Sequence, residues 1–108
     1  MSPITTHVLD TAKGCPAAKI NVVLEYFDEN NWQLIAKGQT DEDGRIMNWM
    51  DSKANKGQYR ITFETAKYHN NSGFFPSVTI NFIIDNPEQH YHVPLLLSPF
   101  SFSTYRGS

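Results

Sequence analysis

An all-β sandwich of seven or eight strands, with one short helix, is the fold class that this sequence predicts. Three observations lead there. Apolar residues recur with a period of two in run after run, the spacing of a half-buried strand. Clusters of Asp, Asn, Gly and Pro punctuate those runs at the short intervals typical of hairpins. A single segment, Thr65 to Asn71, departs from this alternation. At 108 residues the chain is expected to form one domain over 1–108, enough for one hydrophobic core and too little for two.

In chain order, Ile4 to Asp10 is the first strand, stopped by the turn residues Gly14-Cys15-Pro16. Ile20 to Phe27 alternates only partly, as expected of a strand in the middle of a sandwich. Asp28-Glu29-Asn30-Asn31 turns the chain, and Trp32 to Lys37 returns as a hairpin partner. Asp41-Glu42-Asp43-Gly44 makes the next turn and leads into Arg45-Ile46-Met47. Tyr59 to Glu64 alternates cleanly and Val78 to Asp85 follows it. Tyr91 to Leu97 and Ser101 to Tyr105 close the list of strands, hinged at Ser98-Pro99. The exception, Thr65 to Asn71, reads as a two-turn helix with Thr65 near its cap and Gly73 past its end.

Charge and composition exclude several classes of function. Nine Lys plus Arg stand against eleven Asp plus Glu, a formal net charge of -2 with no basic stripe for nucleic acid or a membrane surface. The longest apolar stretch, Val93 to Leu97, is broken by Pro94 and is far too short to span a bilayer. One cysteine, Cys15, permits no internal disulfide, and no reactive role is expected of it. No secretory apolar region precedes Ile4, and the ending is not the Ser-Lys-Leu peroxisomal signal. A soluble, cytoplasmic protein is the default expectation, with a periplasmic mature form or a peroxisomal one compatible.

Four histidines are the first candidates for chemistry, and strand parity sorts them. On the first strand Ile4, Thr6 and Val8 point one way, and Thr5, His7 and Leu9 the other. Before and along Tyr91 to Leu97, the apolar row Tyr91, Val93, Leu95, Leu97 leaves His90, His92, Pro94 and Leu96 opposite. On the last strand Tyr105 shares the face of Ser101 and Ser103. His7, His92 and Tyr105 can thus all project away from the core. His69, in the expected helix, reads as an ordinary surface or hydrogen-bonded residue. His7, His90 and His92 could alternatively hold Zn²⁺ in an open three-histidine site, although no carboxylate is placed to orient them. Asp41-Glu42-Asp43-Gly44 is too short for a calcium loop. Arg45, which follows it, is either a solvated charge or a clamp for substrate oxygens. Tyr26, Tyr59, Tyr91, Phe63, Phe82, Trp32 and Trp49 read as packing.

The final Tyr105-Arg106-Gly107-Ser108 lies where most chains fray. Together with His7-Val8-Leu9-Asp10 and His92-Val93-Pro94-Leu95-Leu96-Leu97-Ser98-Pro99, it resembles the transthyretin-like family in its enzymatic branch, the 5-hydroxyisourate hydrolases. The resemblance covers nearly the whole chain, and the ending is specific because it must fall at the C-terminus. It implies a transthyretin-like sandwich that opens the ring of 5-hydroxyisourate, the unstable product of urate oxidation, to 2-oxo-4-hydroxy-4-carboxy-5-ureidoimidazoline. By the same resemblance His7, Arg45, His92 and Ser108 are expected to be catalytic, and His7, Arg45 and Tyr105 to bind substrate. No metal or other cofactor is expected, and Arg106 is as readily a structural ion pair. A homotetramer is implied, with the site where faces of two dimers meet; apolar Leu9, Pro94 and Leu96 on the outward rows agree with a covered face. The alternative is a non-enzymatic carrier like transthyretin. That branch shares the fold and the Leu-Leu-Ser-Pro run but lacks these histidines and the Tyr-Arg-Gly-Ser ending.

Overall fold

The computed structural model describes residues 2–50 and 53–107. Among them the alternating runs become β1 (Ile4–Asp10), β2 (Cys15–Pro16), β3 (Asn21–Asp28), β4 (Asn31–Gln39), β5 (Arg45–Ile46), β6 (Gly57–Phe63), β7 (Val78–Ile84), β8 (Tyr91–Leu97) and β9 (Phe102–Thr104). Two sheets form. One runs β2-β1-β8-β9, with β5 also paired to β1, and the other runs β4-β3-β6-β7. The expected sandwich is therefore present, and every long run of alternation lies in a strand. The Asp28–Asn31 turn forms as read, with Glu29 at φ 47° and Asn30 at φ 72°, the left-handed pair that a two-residue hairpin requires.

Both inner faces follow from parity. Ile4, Val8, Tyr91, Val93, Leu95 and Leu97 face in from the first sheet, against Val22, Leu24, Tyr59, Ile61, Phe63, Val78 and Ile84 from the second. Each such side chain contributes about 1.5–3 kcal/mol on leaving water. Leu95→Ala is accordingly expected to cost about 2–5 kcal/mol in a urea melt, because Leu95 is fully buried and its cavity can close only in part. On the outer face of the second sheet, Arg60 pairs with Glu25 at 2.7 Å and stacks on Trp32 at 4.1 Å, so Trp32 packs rather than binds. Trp49 donates its indole N–H to the Ile4 carbonyl at 2.8 Å, a structural role as expected.

Two local expectations fail. Thr65 to Asn71 is a string of turns and not a helix. Its amides reach back irregularly, His69 to Thr65, Asn70 to Lys67 and Asn71 to Ala66, and Asn70 and Asn71 adopt positive φ. The expected cap is otherwise engaged, since Thr65 donates its hydroxyl to the Phe75 carbonyl at 2.7 Å. Tyr68 is drawn away to Asp10, donating to its carboxylate at 2.6 Å. Tertiary partners thus outbid a weak local propensity. Burial alone would raise the pKa of Asp10; Tyr68 and the amides of Lys13 and Ala12 outweigh it and hold the carboxyl below its ordinary range. Cys15, read as turn, pairs in β2 and is exposed, so it adds nothing to the core. No helix among the described residues is long and apolar enough to cross a membrane.

Candidate functional site

β1 is the spine of the site because it pairs on both edges. On one side it meets β5 antiparallel, with His7 opposite Arg45. On the other it runs parallel to β8, with Thr5 opposite His92 and His7 opposite Pro94. Side chains alternate along a strand, so Thr5, His7, Arg45, His92 and Pro94 all lie on the outer face of one sheet. The parity assignment of His7 and His92 holds. What parity could not supply is that Arg45 stands beside His7 and that His92 lies one pleat away along the same surface.

Arg45 is placed by its turn. The Asp41 carboxylate accepts from the amides of Asp43 and Arg45, both at 2.9 Å, and Gly44 donates to the Asp41 carbonyl at 2.9 Å. Gly44 has φ 75° and presses so close to β1 that a Cβ there would lie 2.4 Å from the Val8 carbonyl oxygen. Only glycine brings the turn this near His7. In return His7 donates from Nε2 to the Asp43 carbonyl at 2.9 Å, which leaves its lone pair on Nδ1. The Arg45 guanidinium makes no hydrogen bond among the described residues and is open to an anionic or carbonyl oxygen.

His92 is clamped on two edges of its ring. Its Nδ1 lies 2.7 Å from the Thr5 hydroxyl, which also lies 2.9 Å from His90 Nε2. Against its Cδ2 packs Gly107, where an added Cβ would approach to 2.6 Å, while the Gly107 amide donates to the His92 carbonyl at 2.8 Å. The tail is therefore pinned, and its glycine is demanded by the histidine it touches. Burial, followed by the nearby charges of His90, His7 and Arg45, lowers the pKa of His92. His92 thus stays neutral to lower pH than an ordinary histidine.

The remaining candidates separate. Arg106 donates to Gln89 at 3.1 Å and stacks on Tyr91 at 4.3 Å; the ion pair considered for it is not formed among the described residues. Tyr105 is 56% exposed and lines a cleft with Ile80, Phe82, His92, Val93 and Arg106. Within one chain Tyr105 therefore shares this cleft with the His92 end of the row, while His7 and Arg45 lie outside that lining. Ser108 lies outside the described residues. His69 sits in the 65–75 turns, and its buried Nε2 has no hydrogen-bond partner among the described residues, unlike the surface or hydrogen-bonded residue expected. The three-histidine zinc arrangement is not assembled: no cluster of three metal-binding side chains occurs among the described residues, and His7 Nε2 is turned onto Asp43. Pro94, expected to be an outward apolar residue awaiting a partner, is already buried within the chain, and Leu9 and Leu96 are half-buried.

The HIUase/Transthyretin family model matches residues 4–107. The chain belongs to this family. It is 43% identical to a 5-hydroxyisourate hydrolase of Salmonella typhimurium over 109 residues, covering 97% of this chain and 80% of that protein. The structure of Klebsiella pneumoniae 5-hydroxyisourate hydrolase superposes with a TM-score of 0.85 at 32% identity, covering 97% of this chain and 98% of that one. Transthyretin from Sparus aurata superposes at 0.90, also at 32% identity, over 99% and 97% of the two chains. Within the HIUase/Transthyretin family, then, backbone shape is common to hydrolase and transthyretin, and side chains must distinguish them. Thr5 and Gly107 were not singled out from the sequence. For Thr5 the signal was its shared parity with His7; for Gly107 it was its place inside the closing motif.

Proposed function

We propose that this chain hydrolyses 5-hydroxyisourate in urate breakdown, on a site built from His7, Arg45 and His92. The register on β1 carries the reading, since it sets two imidazoles and a guanidinium with no partner among the described residues on one face. Identity of 43% to a named hydrolase over most of both chains supports it. The reaction cleaves an acyl carbon–nitrogen bond. It needs an activated water, a stabiliser for the oxyanion and a proton for the leaving nitrogen. His92 Nε2 and His7 Nδ1 have no hydrogen-bond partner among the described residues, which leaves each ring a nitrogen able to take a proton from water. Arg45 holds substrate oxygens and the developing negative charge. Tyr105 binds substrate and Ser108 assists catalysis from the tail. The test follows the decay of freshly generated 5-hydroxyisourate with and without protein. Enhanced decay is expected, and identical traces would overturn the reading.

The similarity to the Sparus aurata transthyretin favours a carrier as the second reading. A carrier has no use for a free base beside a free guanidinium, and its ligand would survive incubation unchanged. The pH profile separates the two further. A base must be neutral, so kcat/KM should fall as pH drops through the His92 pKa. Because that pKa is lowered, the acidic limb is expected below the ordinary histidine value of about 6.5. A limb above that value would assign the base elsewhere.

Assembly is part of the same proposal. Ile83 on β7 is 64% exposed, Phe102 on β9 39% and Phe100 in the hinge 71%. β7 and β9 are free edges of their sheets, and apolar side chains on free edges invite pairing with another copy. A homotetramer of twofold-related dimers covers these residues, with the sites where faces of two dimers meet. The expected mass is four times the 12.3 kDa chain in solution scattering or ultracentrifugation. An active monomer would contradict this assembly.

A further inference from the structure

Thr5 is fully buried, and its single hydroxyl touches two histidines at once, His90 Nε2 at 2.9 Å and His92 Nδ1 at 2.7 Å. The two rings lie 6.3 Å apart, tilted by 23°. A hydroxyl donates one hydrogen and accepts two, and Thr5 Oγ1 has no third partner among the described residues. With both rings neutral and the buried hydroxyl hydrogen bonded, the contacts can thus be satisfied in only two ways. In one, His92 Nδ1–H donates to Thr5 and Thr5 donates to His90 Nε2. In the other, His90 Nε2–H donates to Thr5 and Thr5 donates to His92 Nδ1. The first leaves a lone pair on His92 Nε2, and the second puts a hydrogen there. A buried hydroxyl cannot readily exchange either partner for water, and a broken contact leaves a polar atom unsatisfied. The hydrogen on His90 therefore decides the tautomer of His92.

We propose that Thr5 is a positioning residue which, by donating to His90, holds His92 as the Nδ1–H tautomer and keeps Nε2 available as the base. This rests on the hydrolase reading above. It assigns His90 the part of the group that receives the Thr5 hydrogen, with its own hydrogen on Nδ1. Water loses a proton to His92 Nε2 as its oxygen joins the acyl carbon, and the resulting imidazolium keeps Nδ1–H on Thr5.

The experiment uses the full chain with ¹⁵N-labelled histidine. Ring nitrogen shifts of His92 above its pKa report the tautomer, and kcat and KM are measured on the same samples. In the wild type His92 should carry hydrogen on Nδ1 and a lone pair on Nε2. His90→Leu removes the acceptor, frees Thr5 to donate to His92 Nδ1, and should shift His92 to Nε2–H. Thr5→Val should leave a mixture. Both variants should lose about 10–10³-fold in kcat with KM nearly unchanged, and Thr5→Ser should recover to within about 3-fold of wild type. His90 is only half-buried, so its variant tests the coupling even if Thr5→Val does not fold. An Nε2–H tautomer in the wild type, or a His92 tautomer unmoved by His90→Leu, would overturn the proposal. If the wild type fails to turn over 5-hydroxyisourate, the hydrolase reading falls while the tautomer measurement still decides whether Thr5 sets the ring.

Discussion

His92→Asn is expected to lower kcat on 5-hydroxyisourate by about two orders of magnitude or more, and His7→Gln by a similar factor. The substitutions are chosen from the contacts. Asn places a polar atom near where Nδ1 of His92 meets Thr5, 2.7 Å away, but has nothing at the position of Nε2. Gln reaches as far as Nε2 of His7 and can donate to the Asp43 carbonyl, yet it carries no base in place of Nδ1. Each variant thus keeps the local structure and removes the proton acceptor. Because the two rings serve one reaction, the double variant should lose far less than the product of the single losses. Melting temperatures close to wild type would show that the loss is chemical. Near-wild-type turnover in both single variants would remove both histidines from the mechanism.

Deleting Tyr105 to Ser108 should abolish turnover and leave the fold nearly intact. Tyr105, Arg106 and Gly107 lie outside the buried core, whose rows end on Leu97 in β8. The deletion removes the Gly107–His92 backbone hydrogen bond at 2.8 Å, the Arg106 stack on Tyr91 and the Gly107 surface that holds the His92 ring in place. Gly107→Ala isolates the last of these. Its methyl would sit 2.6 Å from His92 Cδ2, so the ring must rotate or the tail must lift. A misplacement of this size at a reacting group costs about 10²-fold. Circular dichroism and a thermal melt report the fold, and steady-state kinetics reports the loss. Full turnover by the truncated chain would show that the tail takes no part in the site.

Much of this was legible without coordinates, and for a local reason. Side-chain alternation is a property of each strand alone, so the rows that carry His7 and His92 away from the core could be read from neighbouring residues. The turn at Asp41–Gly44 was legible for the same reason, because its hydrogen bonds close within four residues. The helix read at Thr65–Asn71 was the local inference that failed. Its propensity was weak, and Asp10, 58 positions from Tyr68, and Phe75 claimed the groups a helix would have used. The sequence by itself determined the class of fold, the faces of the strands and the motifs that mark the family. Only the tertiary structure decided which faces meet. β1 and β8 pair in parallel across more than 80 residues, and a shift of one residue in that register would turn His92 away from Thr5. No local pattern encodes that register; it is settled by the joint burial of Ile4, Val8, Val93 and Leu95 in one core, a condition on the whole chain.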